Sequence, residues 1–381
     1  MMHIAFLTPE YPHPALNSSG GLGTSIKNMA VALVKANIKI TLFVYNQKNT
    51  EIFNDKGITV HCIAKKSYKV GGWFLYRKHI QHYSSKYVAL TNIDAIEAPD
   101  WTGITAFMKF KCPLIIRFNG SDAYFCKLEG RKQKKKNFWF EKLALQGADH
   151  LVSVSKFTAD ETRKIFGLKK EIAIIPNAVN TEVFKPNLNT LHNGPFILYF
   201  GTLIRKKGVL EIPKIFNTVA TKNKDVKLIL AGNDVIDIKT GKSTWELFAD
   251  LLDERYTDRV SWLGPQPYDD VIELIAGAGV IILPSYAEAL PMTWIEAMAM
   301  EKALVTSDIG WAKEVMINAE TGFMVSPNDH EKYAGRILEL LDDEQMRKKL
   351  GKMARERVES HFSTQVVNRR NIKFYRQITG K

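Results

Sequence analysis

Two glutamates, Glu288 and Glu296, stand with seven residues between them in PSYAEALPMTWIEAMAMEKALV, residues 284–305. Ahead of them the apolar run Val280–Leu283 has the length of a buried parallel strand, closed by Pro284. The stretch from Met292 to Ala299 has helical spacing. The loop Ala289–Pro291 can therefore present backbone amides to an anion. Glu296, within the first two turns, can accept hydrogen bonds from ribose hydroxyls. A capping or solvated role is the competing account of that carboxylate.

A second constellation is GTLIRKKGV, residues 201–209. Arg205, Lys206 and Lys207 fall in a loop at the end of an apolar run, with Gly208 opening the next helix. A guanidinium and an ammonium there can hold a diphosphate and offset the charge that develops as it leaves. A solvated basic loop fits the same residues equally well. The third is SSGGLGTSIKNMA, residues 18–30. Gly20 and Gly21 permit a tight turn and a close ligand approach, and the positive end of the following helix suits phosphate. The spacing is not G-x-G-x-x-G, and no acidic residue follows the second strand in the dinucleotide position, so a plain structural turn is as consistent as a phosphate site.

Strand and helix periods alternate around these loops. In the first half, strands are expected at Ile4–Leu7, Ile40–Val44, Ile58–Ile63, Ala95–Ala98, Leu114–Phe118, Leu151–Val154 and Ile172–Ile175. Helical spacing lies between most of them, as in Ile26, Met29, Ala30, Leu33 and Val34. PNLNTLHNGP, Pro186–Pro195, is polar and rich in turn residues, and it reads as a linker. The alternation then restarts. Strands are expected at Phe196–Phe200, Lys227–Ala231, Val260–Leu263, Val280–Leu283, Leu304–Thr306 and Phe323–Val325, with helices at Leu210–Ala220, Thr244–Arg255, Asp269–Ala276 and Met292–Ala299. Three helices should follow from Glu331 to Gln377. Such alternation implies α/β domains with parallel sheets covered on both faces. At 381 residues, two domains are the natural expectation.

No uninterrupted apolar stretch is long enough to cross a membrane. The opening MMHIAFLTPEYPHP lacks the basic start and long apolar core of a secretory signal, and the three cysteines, Cys62, Cys112 and Cys126, show no metal-ligand spacing. A cytoplasmic chain with reduced thiols is the expectation. The formal charge of +13 points to an anionic partner without choosing one. In RKQKKK, residues 131–136, five charges precede Phe138, Trp139 and Phe140. Arg131, Lys132, Lys134, Lys135 and Lys136, with Asp122 nearby, could meet a lipid-phosphate acceptor or the anionic inner face of a membrane peripherally. A solvated loop is the alternative. Nucleic acid is not expected as a partner, because no recognition motif accompanies the charge.

The E-x7-E pair and five further segments, in the family's order along the chain, resemble glycosyltransferase family 4, the large retaining family with the two-domain GT-B architecture. Glu288 and Glu296 resemble its E-x7-E signature. IIPNAVNTEVF (174–184) is similar to its "IPNGVD…F" segment, and GTLIRKKG (201–208) to its "G-R-L-x-x-x-K-G" element. DIGWAKEV (308–315) and TGFMVSPND (321–329) resemble its "GG-x-x-E" and "TG-x-L-V-x-P-x-D" segments, and HFSTQVVNRRNIKFY (361–375) its final helix.

The resemblance implies two Rossmann-like doubly wound domains facing across a cleft. Residues 1–185 would bind the acceptor and 195–360 the nucleotide sugar, with 361–381 crossing back to the first domain. Lys207 would meet the donor diphosphate, assisted by Arg205. Glu288 would lie beside the transferred sugar and Glu296 beside the ribose. Leu290, Pro291, Met292 and Thr293 would contact sugar or phosphates through backbone groups, and Gly20 and Gly21 would lie by the donor. The reaction implied is a retaining transfer from a UDP- or GDP-sugar to a glycan or lipid-linked acceptor, most often in bacterial surface-polysaccharide synthesis. No cofactor is expected, and no metal, since no Asp-x-Asp pair stands at a strand end. Four departures stand out, the first being Glu301 where a glycine normally follows the helix of the second glutamate. Thr202 occupies the place of the family's arginine, EALPMT replaces "EGFGLP", and Asn119 in RFNGSDAYF (117–125) replaces a histidine near the reacting sugar. Asn119 can donate a hydrogen bond but cannot transfer a proton. A nucleotide-sugar-binding protein without turnover, and a sugar-nucleotide epimerase, are the alternatives.

Overall fold

A computed structural model of the chain describes residues 1–17, 19–186 and 196–381, so the expected linker lies almost wholly outside the described residues. The chain divides into Met1–Ala178 with Ser363–Lys381, and Val179–Phe362.

The first unit runs β1 (His3–Thr8), α1 (Gly21–Lys35), β2 (Lys39–Gln47), β3 (Glu51–Asp55), β4 (Ile58–Ala64), α2 (Gly72–Thr91), β5 (Ala95–Pro99), β6 (Leu114–Phe118), α3 (Asp122–Leu128), α4 (Lys135–Gly147), β7 (His150–Ser153), α5 (Lys156–Phe166) and β8 (Ile172–Ile174). Its sheet has the order β3-β4-β2-β1-β5-β6-β7-β8. Every pairing is parallel except that of β3 with β4. The central strands are buried along their length, which is why they read as unbroken apolar runs. The edge strand β3 was not expected. Its sequence EIFND is mostly polar, and one face of it meets solvent.

The second unit runs β9 (Phe196–Phe200), α6 (Ile212–Lys222), β10 (Lys227–Ala231), α7 (Thr244–Ala249), β11 (Val260–Trp262), α8 (Tyr268–Gly277), β12 (Val280–Leu283), α9 (Met292–Ala299), β13 (Leu304–Thr306), α10 (Ala312–Val315), β14 (Phe323–Met324), α11 (His330–Asp342) and α12 (Glu344–His361). The sheet β11-β10-β9-β12-β13-β14 is parallel throughout. It is a doubly wound sheet whose strand order reverses between β9 and β12. The helix expected at Thr244–Arg255 is shorter. α7 stops at Ala249, and a separate 3-10 turn covers Glu254–Arg259.

The final helix, α13 (Thr364–Thr379), packs on the first unit. Its Val367 and Tyr375 join the apolar cluster of Ile26, Ala30 and Leu33 on α1. A buried ion pair fixes it further. Arg117 Nε lies 2.6 Å from Glu97 Oε1. Tyr375 Oη donates to Glu97 Oε2 at 2.7 Å, and Asn371 Oδ1 accepts from Arg117 Nη2 at 2.9 Å. Deleting one partner of such a pair strands a buried charge, at a cost of about 3–5 kcal/mol.

The division falls at Ala178/Val179 rather than at 185, and at Phe362/Ser363 rather than at 360. Val179 N donates to Phe362 O at 2.9 Å. Phe184 is fully buried against Tyr268, with ring centroids 5.4 Å apart. Residues 179–184 thus pack into the second unit.

Candidate active site

In doubly wound sheets ligands bind at the carboxyl ends of strands where the order reverses. In the second unit that point lies between β9 and β12, and the loops leaving these strands carry Lys207 and Glu288. The two loops are joined backbone to backbone. Tyr286 N and Ala287 N donate to Lys206 O at 2.8 and 3.2 Å. Gly208, at φ +70°, sits so close to Pro284 that a Cβ would lie 1.9 Å from its carbonyl oxygen. This contact brings Lys207 Nζ to 3.5 Å from Glu288 Oε1. Ser285 Oγ donates to the same carboxylate oxygen at 3.2 Å.

Glu296 is buried on α9, and burial pushes its carboxyl up to about 7 against the opposing attraction of Lys207. Lys207 therefore lies within electrostatic range of both glutamates. Its ammonium would be 3.4 Å from a Cβ at Gly201, and Thr293 Cγ2 would be 3.8 Å from the same point. A glycine at 201 keeps that space open. Pro291 begins α9 with no side-chain cap and no acidic residue in the first turn, so the helix's own first turn does not offset its positive end. Leu290 is buried. Thr202 offers its carbonyl to the hydroxyl of Tyr199, which donates at 2.9 Å.

Arg205 is placed otherwise than expected. Its Nε and Nη2 donate to Asp237 Oδ1 and Oδ2, both at 2.8 Å. These hydrogen bonds, with those from Thr240, hold the Asp237 carboxyl at about 2. Two of the donors meant for a diphosphate are spent on anchoring the segment after β10. Lys207 is left as the cation that faces both glutamates.

In the first unit the glycine turn leaves space at Gly21, as a close ligand approach needs, while the start of α1 already holds an anion of the chain. Gly20 has φ −105°, and Gly21 has open space where a Cβ would stand, so neither is required by the backbone. The close approach belongs to Gly23, whose Cβ would come within 3.3 Å of Glu10 backbone and side chain. The anion at the start of α1 is Glu10 itself, whose Oε1 accepts from Gly23 N at 2.8 Å. Asn119 follows β6, and its backbone N donates to Asp100 Oδ1 at 3.0 Å. Asp100 follows β5 and is fully buried, with Oδ2 unpartnered. Burial pushes its carboxyl up to about 7, aided by the charge of Glu141. Asp122 N donates to Glu141 Oε1 at 2.8 Å, and the Asp122 side chain is held by Asn137 at 3.2 Å and Arg131 at 3.5 Å. Arg131 also pairs with Glu129 at 3.0 Å. Asp122 and Arg131 thus brace each other, whereas Lys132, Lys134, Lys135 and Lys136 are exposed.

Glu10, Asp100, Asp237 and Tyr199 were missed by sequence reasoning. Asp100 alone carried a signal, as a carboxylate at the end of an apolar strand. The other three depend on partners remote in sequence or buried within a strand.

Residues 19–183 match the model of Glycosyltransferase Family 4, and residues 180–357 that of Glycosyl transferases group 1. The capsular polysaccharide biosynthesis glycosyltransferase CapM of Staphylococcus aureus is 29% identical over 199 residues, 50% of each chain. The chain spans about half to two thirds of the length of most of the curated relatives it matches. Among solved structures, sucrose-phosphate synthase of Thermosynechococcus elongatus superposes with a TM-score of 0.83 at 20% identity over 100% of both chains. HepE of Anabaena, solved in complex with UDP-glucose, has a TM-score of 0.75 at 17% identity over 99% of this chain and 100% of that one. At these identities the likeness is one of fold.

Proposed function

We propose that this chain, which belongs to glycosyltransferase family 4, moves a sugar from a UDP- or GDP-sugar to a glycan or lipid-linked acceptor with retention at the anomeric carbon. The observation that carries this reading is the placement of Lys207 beside Glu288 and within reach of Glu296, at the strand-order reversal of the second sheet. A pyrophosphate there would meet the Lys207 ammonium and the uncapped start of α9, while Glu296 accepts from ribose hydroxyls. The solved complex of HepE with UDP-glucose supports a uridine donor, and the likeness to CapM supports a surface-polysaccharide setting.

In the reaction the bond from anomeric carbon to phosphate oxygen breaks and the bond to the acceptor oxygen forms on the same face. The acceptor proton passes to the departing diphosphate. The chain's part is to hold the reactants and stabilise the leaving charge. Lys207 does the latter, and Glu288 positions the sugar. Neither is assigned as a nucleophile, in contrast to the paired carboxylates of a retaining glycosidase. No metal is required on this reading, so turnover should persist in EDTA.

A thermal-shift screen against UDP- and GDP-sugars tests the donor site, since a ligand selective for the native state raises its melting temperature. One donor class should stabilise the wild type and lose that effect in Lys207→Ala. Stabilisation by none of them, or an equal shift in the variant, overturns the site. Product analysis with and without acceptor separates the reaction classes. Binding without product identifies a retired binding protein, and an isomerised nucleotide sugar identifies an epimerase.

A further inference from the structure

We propose that one face of the first unit, formed by the start of α2, the loop after β5 and the start of α4, docks on an anionic lipid bilayer. Trp73, Phe107, Trp139 and Phe140 meet there from three separate stretches of chain. Their ring centroids are 5.8 Å apart for Trp73–Phe107, 5.2 Å for Trp73–Phe140 and 5.3 Å for Phe107–Trp139. Trp73 remains 41% and Trp139 47% exposed, so the cluster is not closed core. Val70 and Leu75 flank it at 83% and 40%.

The platform is rigid. Buried Arg77 donates to Trp73 O at 2.8 Å, Thr102 O at 3.1 Å and Gly103 O at 3.2 Å, and it lies 4.2 Å from the centre of the Phe140 ring. Phe107 is held at φ +66°, a conformation that opposes a bulky side chain and puts its ring at the hub.

The stretches of chain that carry the rings are basic, with Arg131 paired to the neighbouring Asp122 and Glu129. Lys56–Ile93 contains seven basic and no acidic residues, Trp101–Ser121 three and none, and Gly130–Phe140 five and none. Lys65, Lys66, Lys69, Lys109 and Lys111 are exposed, as are the four lysines of 132–136. Lys136 Nζ lies 5.6 Å from the centre of the Trp73 ring. Lys134 caps α4 and Lys135 and Lys136 open it, with no acidic residue in the first turn. Cations at that end oppose the helix dipole, so they do not serve the helix.

Exposed indoles with apolar neighbours, Lys136 against Trp73 and further exposed lysines on the same stretches of chain match the interface of an anionic bilayer, where amphipathic rings sit at headgroup depth and basic residues meet lipid phosphates. The rings already pack against each other, so they do not offer the open faces on which nucleic-acid bases stack. The face collects at the carboxyl ends of β4, β5 and β6, the edge where a doubly wound domain takes its ligand. Docking there would hold that edge against the leaflet in which a lipid-linked acceptor resides. The inference does not depend on the donor chemistry.

Co-sedimentation of the full chain with phosphatidylcholine vesicles, with and without a quarter of phosphatidylglycerol, tests it. Binding should require phosphatidylglycerol and weaken in high salt. Replacing Lys132, Lys134, Lys135 and Lys136 by Gln should weaken it by more than tenfold, at up to about fivefold per charge, while replacement by Arg should preserve it. Lipids brominated on the acyl chain should quench tryptophan emission, and less so in Trp139→Phe, which keeps the packing. Equal binding to neutral vesicles, full binding by the Gln variant with native circular dichroism, absence of quenching, or displacement from vesicles by equimolar single-stranded DNA would each overturn the proposal.

Discussion

Lys207 Nζ stands 3.5 Å from Glu288 Oε1 although the two residues leave different strands. They meet because the strand order reverses between β9 and β12 and because the 201–208 and 284–288 loops share hydrogen bonds. A lysine paired this way is oriented before any ligand arrives, so little reorganisation remains for the transfer step. Lys207→Ala should lower kcat/KM by about 10²–10³, roughly 3–4 kcal/mol of transition-state stabilisation. Glu288→Gln should lower kcat more than it raises KM. Steady-state kinetics beside a urea melt would check both, and full activity in either variant would refute the assignment.

Glu296 gives a pH signature independent of turnover. Its carboxyl is raised to about 7 in the fold, chiefly by burial, from an unfolded value near ~4.3. The native state therefore binds more protons than the unfolded chain between those values, and stability falls as pH rises through that window. Glu296→Gln cannot ionise. Its stability relative to the wild type should climb by up to about 3 kcal/mol from pH 4.5 to 8. Urea titrations of both proteins at several pH values measure the difference. Parallel curves would show that the carboxyl titrates normally.

Arg205 and Asp237 should behave as a structural pair. The guanidinium is about one third exposed, so the coupling in a double-mutant cycle should be near ~1 kcal/mol rather than that of a buried pair. Arg205→Ala should cost less than about tenfold in kcat/KM, far less than Lys207→Ala. Equal losses would return Arg205 to the diphosphate.

How much of this was legible from sequence depended on distance along the chain. β1, β9 and β12 announced themselves because a strand buried on both faces must be apolar throughout. β3 did not, because an edge strand can be polar. Lys207, Glu288 and Glu296 were found by pattern and not by charge, since the chain carries 53 lysines and arginines and 40 acidic residues. The commitment of Arg205 to a carboxylate 32 positions on was invisible, because nothing local requires that pair. The cluster of Trp73, Phe107 and Trp139 was equally hidden. The basic run at 131–136 marked only one of its three sources.

Two glycine substitutions separate backbone necessity from sequence pattern. Gly208 combines φ +70° with a Cβ position 1.9 Å from Pro284 O, and both atoms of that clash belong to backbone or its first branch. Gly208→Ala must push apart the loops that hold Lys207 and Glu288. It should destabilise the protein by at least about 2 kcal/mol and take turnover with it. Gly21 opens α1 with nothing within 4 Å of its Cβ position. Gly21→Ala should leave stability within about 0.5 kcal/mol or raise it slightly, because the backbone there suits any residue and the unfolded chain loses freedom. Kinetics on that variant then isolate the ligand. If a donor phosphate approaches the Gly21 backbone, the added methyl raises KM in a protein whose melt is unchanged. If Glu10 is the anion this helix start serves, KM stays where it was.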